Sequence, residues 1–97
     1  MIVLIARYFV KPGQVDTVLA HLRDMKVLVD QSEPDCHQYQ VAQSDDDSNI
    51  LILMEQYSDA AALAAHRDMP HFKQIIEGMV VPLLESRVRE FLTLAIA

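Results

Sequence analysis

The chain has 97 residues, of which 52% are hydrophobic, and its formal net charge is −6 at pH 7. This length fits one domain over residues 1–97 with a small core. The 8 lysines and arginines are too few and too dispersed to neutralise a phosphate backbone, so nucleic acid is not an expected partner. No apolar run approaches the roughly 20 residues of a membrane-spanning helix, and no leader-like segment is recognisable. Together with a single cysteine, Cys36, this predicts a cytoplasmic protein without a membrane partner.

The first half of the chain predicts a strand, a helix and a second strand. Residues 2–10 are rich in β-branched and aromatic side chains, and turn chemistry at Pro12-Gly13 ends this strand. From residue 15 onward, apolar side chains recur at a spacing of three and four, as on one face of a long helix. Pro34 ends this helix because the residue before a proline is displaced from the helical region. Residues 36–43 then alternate as a strand.

The second half predicts two strands that enclose a two-part helical region. The predicted segments are a strand over residues 50–57, a helix to about Arg67, a second helical segment from Pro70 that Pro82 bends or shortens, and a strand over residues 87–95. Ser58 and Asp59 precede the first of these helices, and their side chains can accept hydrogen bonds from its first amides. The order strand, helix, strand, strand, helix, strand predicts a ferredoxin-like βαββαβ fold of the α+β class with an antiparallel sheet.

The first and third predicted strands carry apolar side chains on both faces. Val3 and Leu4 point to opposite sides of the sheet, and so do Ile52 and Leu53. Two helices cannot cover both faces of a four-stranded sheet. At ~25 cal/mol per Å² of apolar area, leaving a few hundred Å² in water forgoes several kcal/mol. We therefore expect a homodimer that packs through the uncovered sheet face.

Glu55 is a carboxylate within the most apolar strand of the chain. Burial there disfavours its ionised form and raises its pKa, and a carboxyl group with a raised pKa can exchange a proton near neutral pH. The alternative is that Glu55 lies at the strand's end and pairs structurally with Arg7, Arg87 or Arg89.

Two histidines and two tyrosines are further candidates. The helical spacing predicts that His66 faces inward or along the rim of the sheet, where it is either a base or a hydrogen-bonded core residue. His71 opens the second helical segment beside Phe72 and either lines the mouth of a pocket or stays at the surface. Tyr39 and Tyr57 offer hydroxyl groups to a ligand, or else pack with those groups at the edge of the sheet.

No metal or cofactor is expected from the sequence. There is no His-Glu-x-x-His and no paired-cysteine motif, which disfavours zinc and iron centres. Gly13 and Gly78 are the only glycines, so no glycine-rich turn follows a strand to cradle a nucleotide or flavin phosphate.

Several short motifs, taken in order, resemble the antibiotic biosynthesis monooxygenase domain family of dimeric α+β barrels. The motifs are Glu33-Pro34-Asp35-Cys36 with Tyr39, then Glu55-x-Tyr57-x-Asp59-x-x-Ala62, then His66 with Pro70-His71-Phe72. The resemblance covers essentially the whole chain, including the order of strands and helices. It implies a homodimer in which two sheets face each other, with a pocket between sheet and helices in each subunit.

The resemblance also implies a chemistry. Family members include quinol monooxygenase-like enzymes that oxidise electron-rich phenols, quinols or anthrone-like polyketides with molecular oxygen and without metal or flavin. Others are isomerases of small metabolites. By position, Glu55 and His66 are the expected catalytic pair that handles protons. Asp35 stands where a glycine is usual, and Ile76 lies near the position of the iron-binding histidine of haem-degrading relatives, which disfavours haem degradation.

The leading hypothesis is a cofactor-independent monooxygenase that acts on a quinol-like or polycyclic phenolic small molecule. Its expected substrate-binding residues are His71, Phe72, Tyr57, Tyr39 and Arg7. One alternative is an isomerase or tautomerase of a small metabolite that uses the same pair as acid and base. A phosphorylated substrate would then need a cationic anchor from Arg7, Arg87 or Arg89. The other alternative is a dimeric module for small-ligand binding in a stress response, without catalysis.

Overall fold

Four antiparallel strands form one sheet, and the helices pack on one of its faces. In the computed structural model, which describes residues 1–97, the elements in chain order are β1 (Ile2–Val10), α1 (Val15–Ser32), β2 (Cys36–Gln43), β3 (Ile50–Tyr57), α2 (Ala60–Asp68), α3 (Phe72–Val80) and β4 (Leu84–Thr93). The strand order across the sheet is β2-β3-β1-β4, and every neighbouring pair is antiparallel. The predicted ferredoxin-like α+β fold is confirmed.

The last helical region differs from an ordinary α-helix. In α3 the backbone follows a π-helix, and at its end the amide of Val81 donates to the carbonyl of Ile76, five residues back. Pro82 then lies in a short 3₁₀ turn that ends the helical region, as predicted. β4 begins at Leu84, earlier than expected. π-Helical segments are rare in proteins, and those that do occur are often found at functional sites.

The turn between α1 and β2 is fastened to the end of β3. The amide of Glu33 donates to the carbonyl of Val29 at 2.9 Å, which closes the last turn of α1, and Pro34 follows. The amide of Ser58, just after β3, donates to the carbonyl of Asp35 at 2.9 Å. This hydrogen bond fastens the turn that follows Glu33 to the segment that leads into α2.

Local signals set the beginnings of α2 and α3. The Asp59 side chain accepts a hydrogen bond from the amide of Ala62 at 2.8 Å, which confirms the predicted N-terminal cap. Met69 is extended, as expected for a residue before a proline, and it separates α2 from the segment that starts at Pro70. The resulting bend places His71 at the beginning of α3.

The helix-covered face of the sheet holds the core. Alternate residues of the central strands are buried against the apolar stripe of α1, and the members of this cluster include Ala6, Tyr8, Leu51, Leu53, Val18, Leu22, Met25 and Val29. The three-four periodicity that predicts α1 therefore marks the face that packs on the sheet.

The opposite face of the sheet has no helix over it. Its apolar side chains come from β1, β3 and β4 and are Val3, Ile5, Phe9, Ile50, Ile52, Met54, Val88 and Leu92. Val88 and Leu92 are 58% and 42% exposed. The sheet is therefore apolar on both faces, as the strand sequences predict, and we call this uncovered side the open face. No helix combines the length and apolarity that crossing a membrane requires.

Leu53→Ala is expected to lower the free energy of unfolding by about 2–5 kcal/mol, because it removes buried methyl groups and leaves a cavity. Leu53 is 1% exposed in the middle of the core. Urea unfolding followed by circular dichroism measures the loss. Gln74→Ala, at an exposed position of α3, is the control and should stay within about 0.5 kcal/mol. Equal stabilities of the two variants would contradict this account of the core.

Candidate active site

His66 lies at the centre of a buried aromatic enclosure. It is 2% exposed on the inward face of α2, so of the two predicted orientations the inward one is correct. Its ring centroid is 5.1 Å from that of Phe72, 5.2 Å from Tyr57 and 6.0 Å from Tyr39. These rings come from α3, β3 and β2, so three separate elements surround one imidazole.

Glu33 binds both histidines of this region. His66 Nδ1 lies 2.8 Å from Glu33 Oε1, and His71 Nε2 lies 2.6 Å from Glu33 Oε2. An ionised carboxylate only accepts hydrogen bonds, so each of these ring nitrogens is the donor. A neutral His66 therefore carries its proton on Nδ1, and its Nε2 is left with a free lone pair.

Glu55 lies on the other side of the His66 ring. Its Oε1 is 3.7 Å from His66 Nε2 and accepts a hydrogen bond from the Tyr57 hydroxyl at 2.5 Å. Glu55 and Tyr57 are two residues apart on β3, so both side chains leave the same face of the sheet. The site is thus a buried histidine between two carboxyl groups. Glu33 is hydrogen-bonded to the ring, and Glu55 lies 3.7 Å from its other nitrogen.

Burial shifts the pKa values of Glu55 and His66 toward their neutral forms. The pKa of Glu55 rises from 4.5 to about 7, chiefly by desolvation and further by the charge of Glu33, although the Tyr57 hydrogen bond opposes the rise. The pKa of His66 falls below 6.5 because desolvation of the imidazolium outweighs the attraction of Glu33. Near neutral pH, His66 is neutral and Glu55 exchanges a proton, the condition that suits acid–base catalysis.

The tyrosines around the site remain protonated. Burial raises the pKa of Tyr8 to about 12, and it also raises the pKa values of Tyr39 and Tyr57 above the ordinary 10. Their hydroxyl groups are therefore hydrogen-bond donors at physiological pH, and the Tyr57 hydroxyl already donates to Glu55.

A small cavity adjoins this pair. Side chains from six elements line it, among them Tyr8, Tyr39, Glu55, His66, Phe72, Arg67, Arg87 and Arg89. Its volume of about 20 Å³ holds about one water molecule. Sites for small organic ligands usually enclose ~300 Å³ or more, so side chains over the cavity have to move to admit one.

A larger groove lies between α1 and the edge strand β2. It has a volume of about 480 Å³, and its lining includes Leu19, Arg23 and Lys26. It contains no histidine and no carboxylate, so it lacks groups that accept a proton near neutral pH. The cavity beside His66 is therefore the candidate active site.

The structure brings together all but one of the side chains that the sequence proposes. Those that meet in or beside the enclosure are Glu55, His66, His71, Phe72, Tyr57 and Tyr39. Arg7 is the correction. It is exposed on the open face, paired across strands with Ile52 and Val88, because strand alternation sends its side chain away from the helices.

The alternative environment proposed for Glu55 also needs correction. No ion pair joins Glu55 to Arg7, Arg87 or Arg89. Its partners are the Tyr57 hydroxyl and, at 3.7 Å, the imidazole of His66. No three His, Cys, Asp or Glu side chains are arranged as metal ligands.

Glu33 is the residue whose role the sequence analysis missed. It is 8% exposed, and its side chain reaches residues 33 and 38 positions away in the chain. One signal does exist. Glu33 follows the last turn of α1, where the negative end of the helix dipole disfavours a carboxylate. An acidic residue at that position indicates a compensating partner, although it does not identify which one.

The fold and this site define a small ferredoxin-like α+β domain with a buried cluster of glutamate and histidine side chains between its sheet and its helices. The family model described as antibiotic biosynthesis monooxygenase matches residues 1–78. The chain belongs to this family, as its motifs indicate.

Solved structures share the fold over nearly the whole chain. A crystal structure named antibiotic biosynthesis monooxygenase is 25% identical, with 98% of this chain and 99% of that chain covered and a TM-score of 0.87. Rv0793 from Mycobacterium tuberculosis is 27% identical, with coverages of 99% and 96% and a TM-score of 0.89. PA3566 from Pseudomonas aeruginosa is 30% identical, with coverages of 97% and 94% and a TM-score of 0.84. No curated protein matches this chain.

Glu55→Gln is expected to change how stability depends on pH. The pKa of Glu55 is raised from 4.5 to about 7 in the folded state. The contribution of its neutral carboxyl group to stability is therefore fully present below pH 4.5 and is lost as the pH rises through about 7. Glutamine stays neutral. Between about pH 5 and about pH 8 the variant should therefore gain up to ~3 kcal/mol of unfolding free energy relative to the wild type.

Urea unfolding of both proteins across this pH range measures the difference. The opposite effect of His66, whose lowered pKa removes stability as pH falls, acts in both proteins and largely cancels. Glu77→Gln on the exposed side of α3 is the matched control. A difference between wild type and Glu55→Gln that stays constant with pH would show that Glu55 is ionised throughout.

Proposed function

We propose that this protein is a cofactor-independent monooxygenase that oxidises a quinol-like or polycyclic phenolic small molecule with molecular oxygen. The observation that carries the proposal is the free Nε2 of His66, which Glu33 orients from the far side of the ring and which lies 3.7 Å from Glu55. Membership of the antibiotic biosynthesis monooxygenase family supports an oxygenase-type activity. Phe72 and Tyr39 supply aromatic walls for a planar substrate.

The first step is deprotonation of the substrate. His66 accepts a phenolic proton at Nε2, and the Glu33 carboxylate stabilises the imidazolium through its hydrogen bond to Nδ1. Glu55 lies close enough to exchange that proton by a small movement, and its raised pKa suits both uptake and release near pH 7. Tyr57 orients Glu55, and His71 holds the second oxygen of Glu33.

The second step uses the electron-rich phenolate. It transfers one electron to O₂, and the resulting phenoxyl radical and superoxide combine at a ring CH ortho or para to the phenolate oxygen. The His66 imidazolium returns its proton to the peroxide anion, which gives a carbon hydroperoxide. Loss of water from this hydroperoxide leaves a carbonyl group. One oxygen atom enters the product and the other leaves as water, so the substrate supplies all the electrons. The aromatic enclosure excludes bulk water from these intermediates.

An isomerase or tautomerase of a small metabolite is the second candidate function. The 3.7 Å approach of Glu55 and His66 favours it, because two adjacent groups can remove a proton from one atom and return it to another. This reaction needs no oxygen. An isomerase would therefore exchange a substrate proton for solvent deuterium under anaerobic conditions, and a monooxygenase would not turn over.

His66→Ala and Glu55→Gln are each expected to lower kcat/KM for a quinol substrate by about 10²–10⁴, because each removes a group that transfers a proton. Glu33→Gln is expected to lower kcat with little change in KM, because the neutral amide stabilises the imidazolium less. An oxygen electrode measures turnover on a panel of quinols and anthrone-like phenols.

His21→Ala, a histidine of α1 outside the cavity, is the matched control and should retain wild-type turnover. Turnover that continues without oxygen would reject the monooxygenase and favour the isomerase. Ligand binding without turnover in either atmosphere would favour a binding module.

We also propose that the open face packs against the same face of a second copy. Its apolar side chains span three adjacent strands, and no part of the chain covers them. Contiguous apolar patches of this kind mark interaction sites, and closed two-fold symmetry is the commonest arrangement for a single type of chain. Dimerisation would supply the burial that a small domain lacks.

Ile52→Lys is expected to convert the dimer to monomer at micromolar concentration, because it places a charge in the middle of the open face, opposite Arg7. Analytical ultracentrifugation of the wild type and the variant measures the mass. Val27→Lys is the control, since Val27 is 53% exposed on α1, on the other side of the domain. A monomeric wild type would reject the proposed dimer.

A further inference from the structure

Three arginines line the cavity together with Glu55 and His66. They are Arg67 from α2 and Arg87 and Arg89 from β4. Arg87 and Arg89 are two residues apart on β4 and pair across strands with Tyr8 and Ala6, whose side chains face the helices. Two separate elements thus bring three guanidinium groups to the lining of one small cavity.

Arg67 is held in position over β4. Its guanidinium carbon lies 4.9 Å from the centroid of the Phe91 ring, in a cation–π contact. Phe91 shares the helix-facing side of β4 with Arg87 and Arg89 because the strand alternates. The contact therefore draws the C-terminal end of α2 toward the same row of side chains.

None of the three arginines has a carboxylate partner. The basic side chains that contact carboxyl groups are Lys26, with Asp30, and the two histidines. His66 contacts Glu33 and Glu55, and His71 contacts Glu33. The chain has 14 acidic residues against 8 lysines and arginines, so an unpaired cationic cluster runs against its composition. The pKa of Arg89 is lowered by desolvation and by the charges of Arg87 and Arg67, which means that the three groups repel one another.

The cluster is also accessible from solvent. No helix covers the outer part of β4, where Arg89 is exposed and Arg87 is half-buried. Glu55 and His66, which line the same cavity, are by contrast only 4% and 2% exposed. The site thus has a buried end that handles protons and a cationic rim that faces water.

We infer that this cavity takes an anionic substrate, a phenol or quinol that carries a carboxylate or phosphate group, and that Arg67, Arg87 and Arg89 bind that group at the rim. The inference rests on the proposed function, because the phenolic end of the same molecule meets His66. Guanidinium groups bind carboxylates and phosphates through paired N–H donors. An anion at the rim also removes the mutual repulsion of the cluster and orients the hydroxyl toward the buried end.

Anaerobic titration calorimetry with the full chain tests this inference without any turnover. The probes are 2,5-dihydroxybenzoate, 4-hydroxyphenyl phosphate and the neutral 2,5-dihydroxybenzamide. At least one of the two anions is expected to bind tenfold or more tightly than the amide, with a preference that weakens as salt is added. Comparison of the two anions identifies whether the cluster suits a carboxylate or a phosphate.

Arg87→Gln and Arg89→Gln are each expected to reduce the preference for the anion by about tenfold while binding of the amide changes little. Arg23→Gln is the matched control, because this exposed arginine of α1 lies outside the cavity. Circular dichroism confirms that each variant is folded. If one of the two variants does not fold, the other still tests the inference.

Equal binding of acid, phosphate and amide, or an unchanged preference in both variants, would overturn the inference. A fall from dimer to monomer in Arg89→Gln without loss of anion preference would also overturn it, since the cluster would then serve acidic groups of a second copy. Anion-selective binding without oxygen consumption would uphold the inference and reject the monooxygenase. Oxygen-dependent turnover of neutral quinols, with no preference for anions, would uphold the monooxygenase and overturn the inference about the anionic substrate.

Discussion

The arrangement of the site depends on one buried carboxylate that accepts hydrogen bonds from two imidazoles. Glu33 closes the end of α1, and its oxygens contact His66 of α2 and His71 at the start of α3. A buried charge is stable only where donors compensate its lost hydration, and two imidazole N–H groups supply this compensation. The same contacts fix the tautomer of His66 and hence the direction in which its free nitrogen points. The contacts of Glu33 therefore both join the helices and orient the imidazole of His66.

The two faces of the sheet serve different purposes for a single physical reason. One helical layer covers one face, so polar groups on that face are enclosed in a medium where ionisation is unfavourable and pKa values shift. Glu55 acquires its raised pKa there. The open face keeps an apolar surface that only another molecule can bury. The cavity lies on the covered face near β4, where the helices do not cover Arg87 and Arg89 completely.

The sequence predicts most of the fold and most of the side chains around His66, but not the contacts between them. Strand alternation and helical spacing depend only on residues near one another in the chain, so the element order, the apolar faces and the inward orientation of His66 follow from them. The cap at Asp59 is equally local. Alternation in β1 also predicts the face on which Arg7 lies. Ala6 faces the helices, so the next residue, Arg7, points to the opposite face and away from the pocket. The prediction that Arg7 binds substrate in the pocket does not fit this placement, since its side chain lies on the open face.

The sequence by itself determined the two-layer α+β architecture, the two-sided apolar sheet and the candidacy of Glu55 and His66, because each follows from a repeat of two or of about 3.6 residues. Only the tertiary structure decided that Glu33 joins His66 and His71 and that Arg67, Arg87 and Arg89 meet at one rim. Those contacts link residues far apart in the chain, and they depend on where the ends of helices and strands come to lie. The reason is geometric: local periodicity gives the direction of a side chain, whereas the partner that it reaches depends on how whole elements pack.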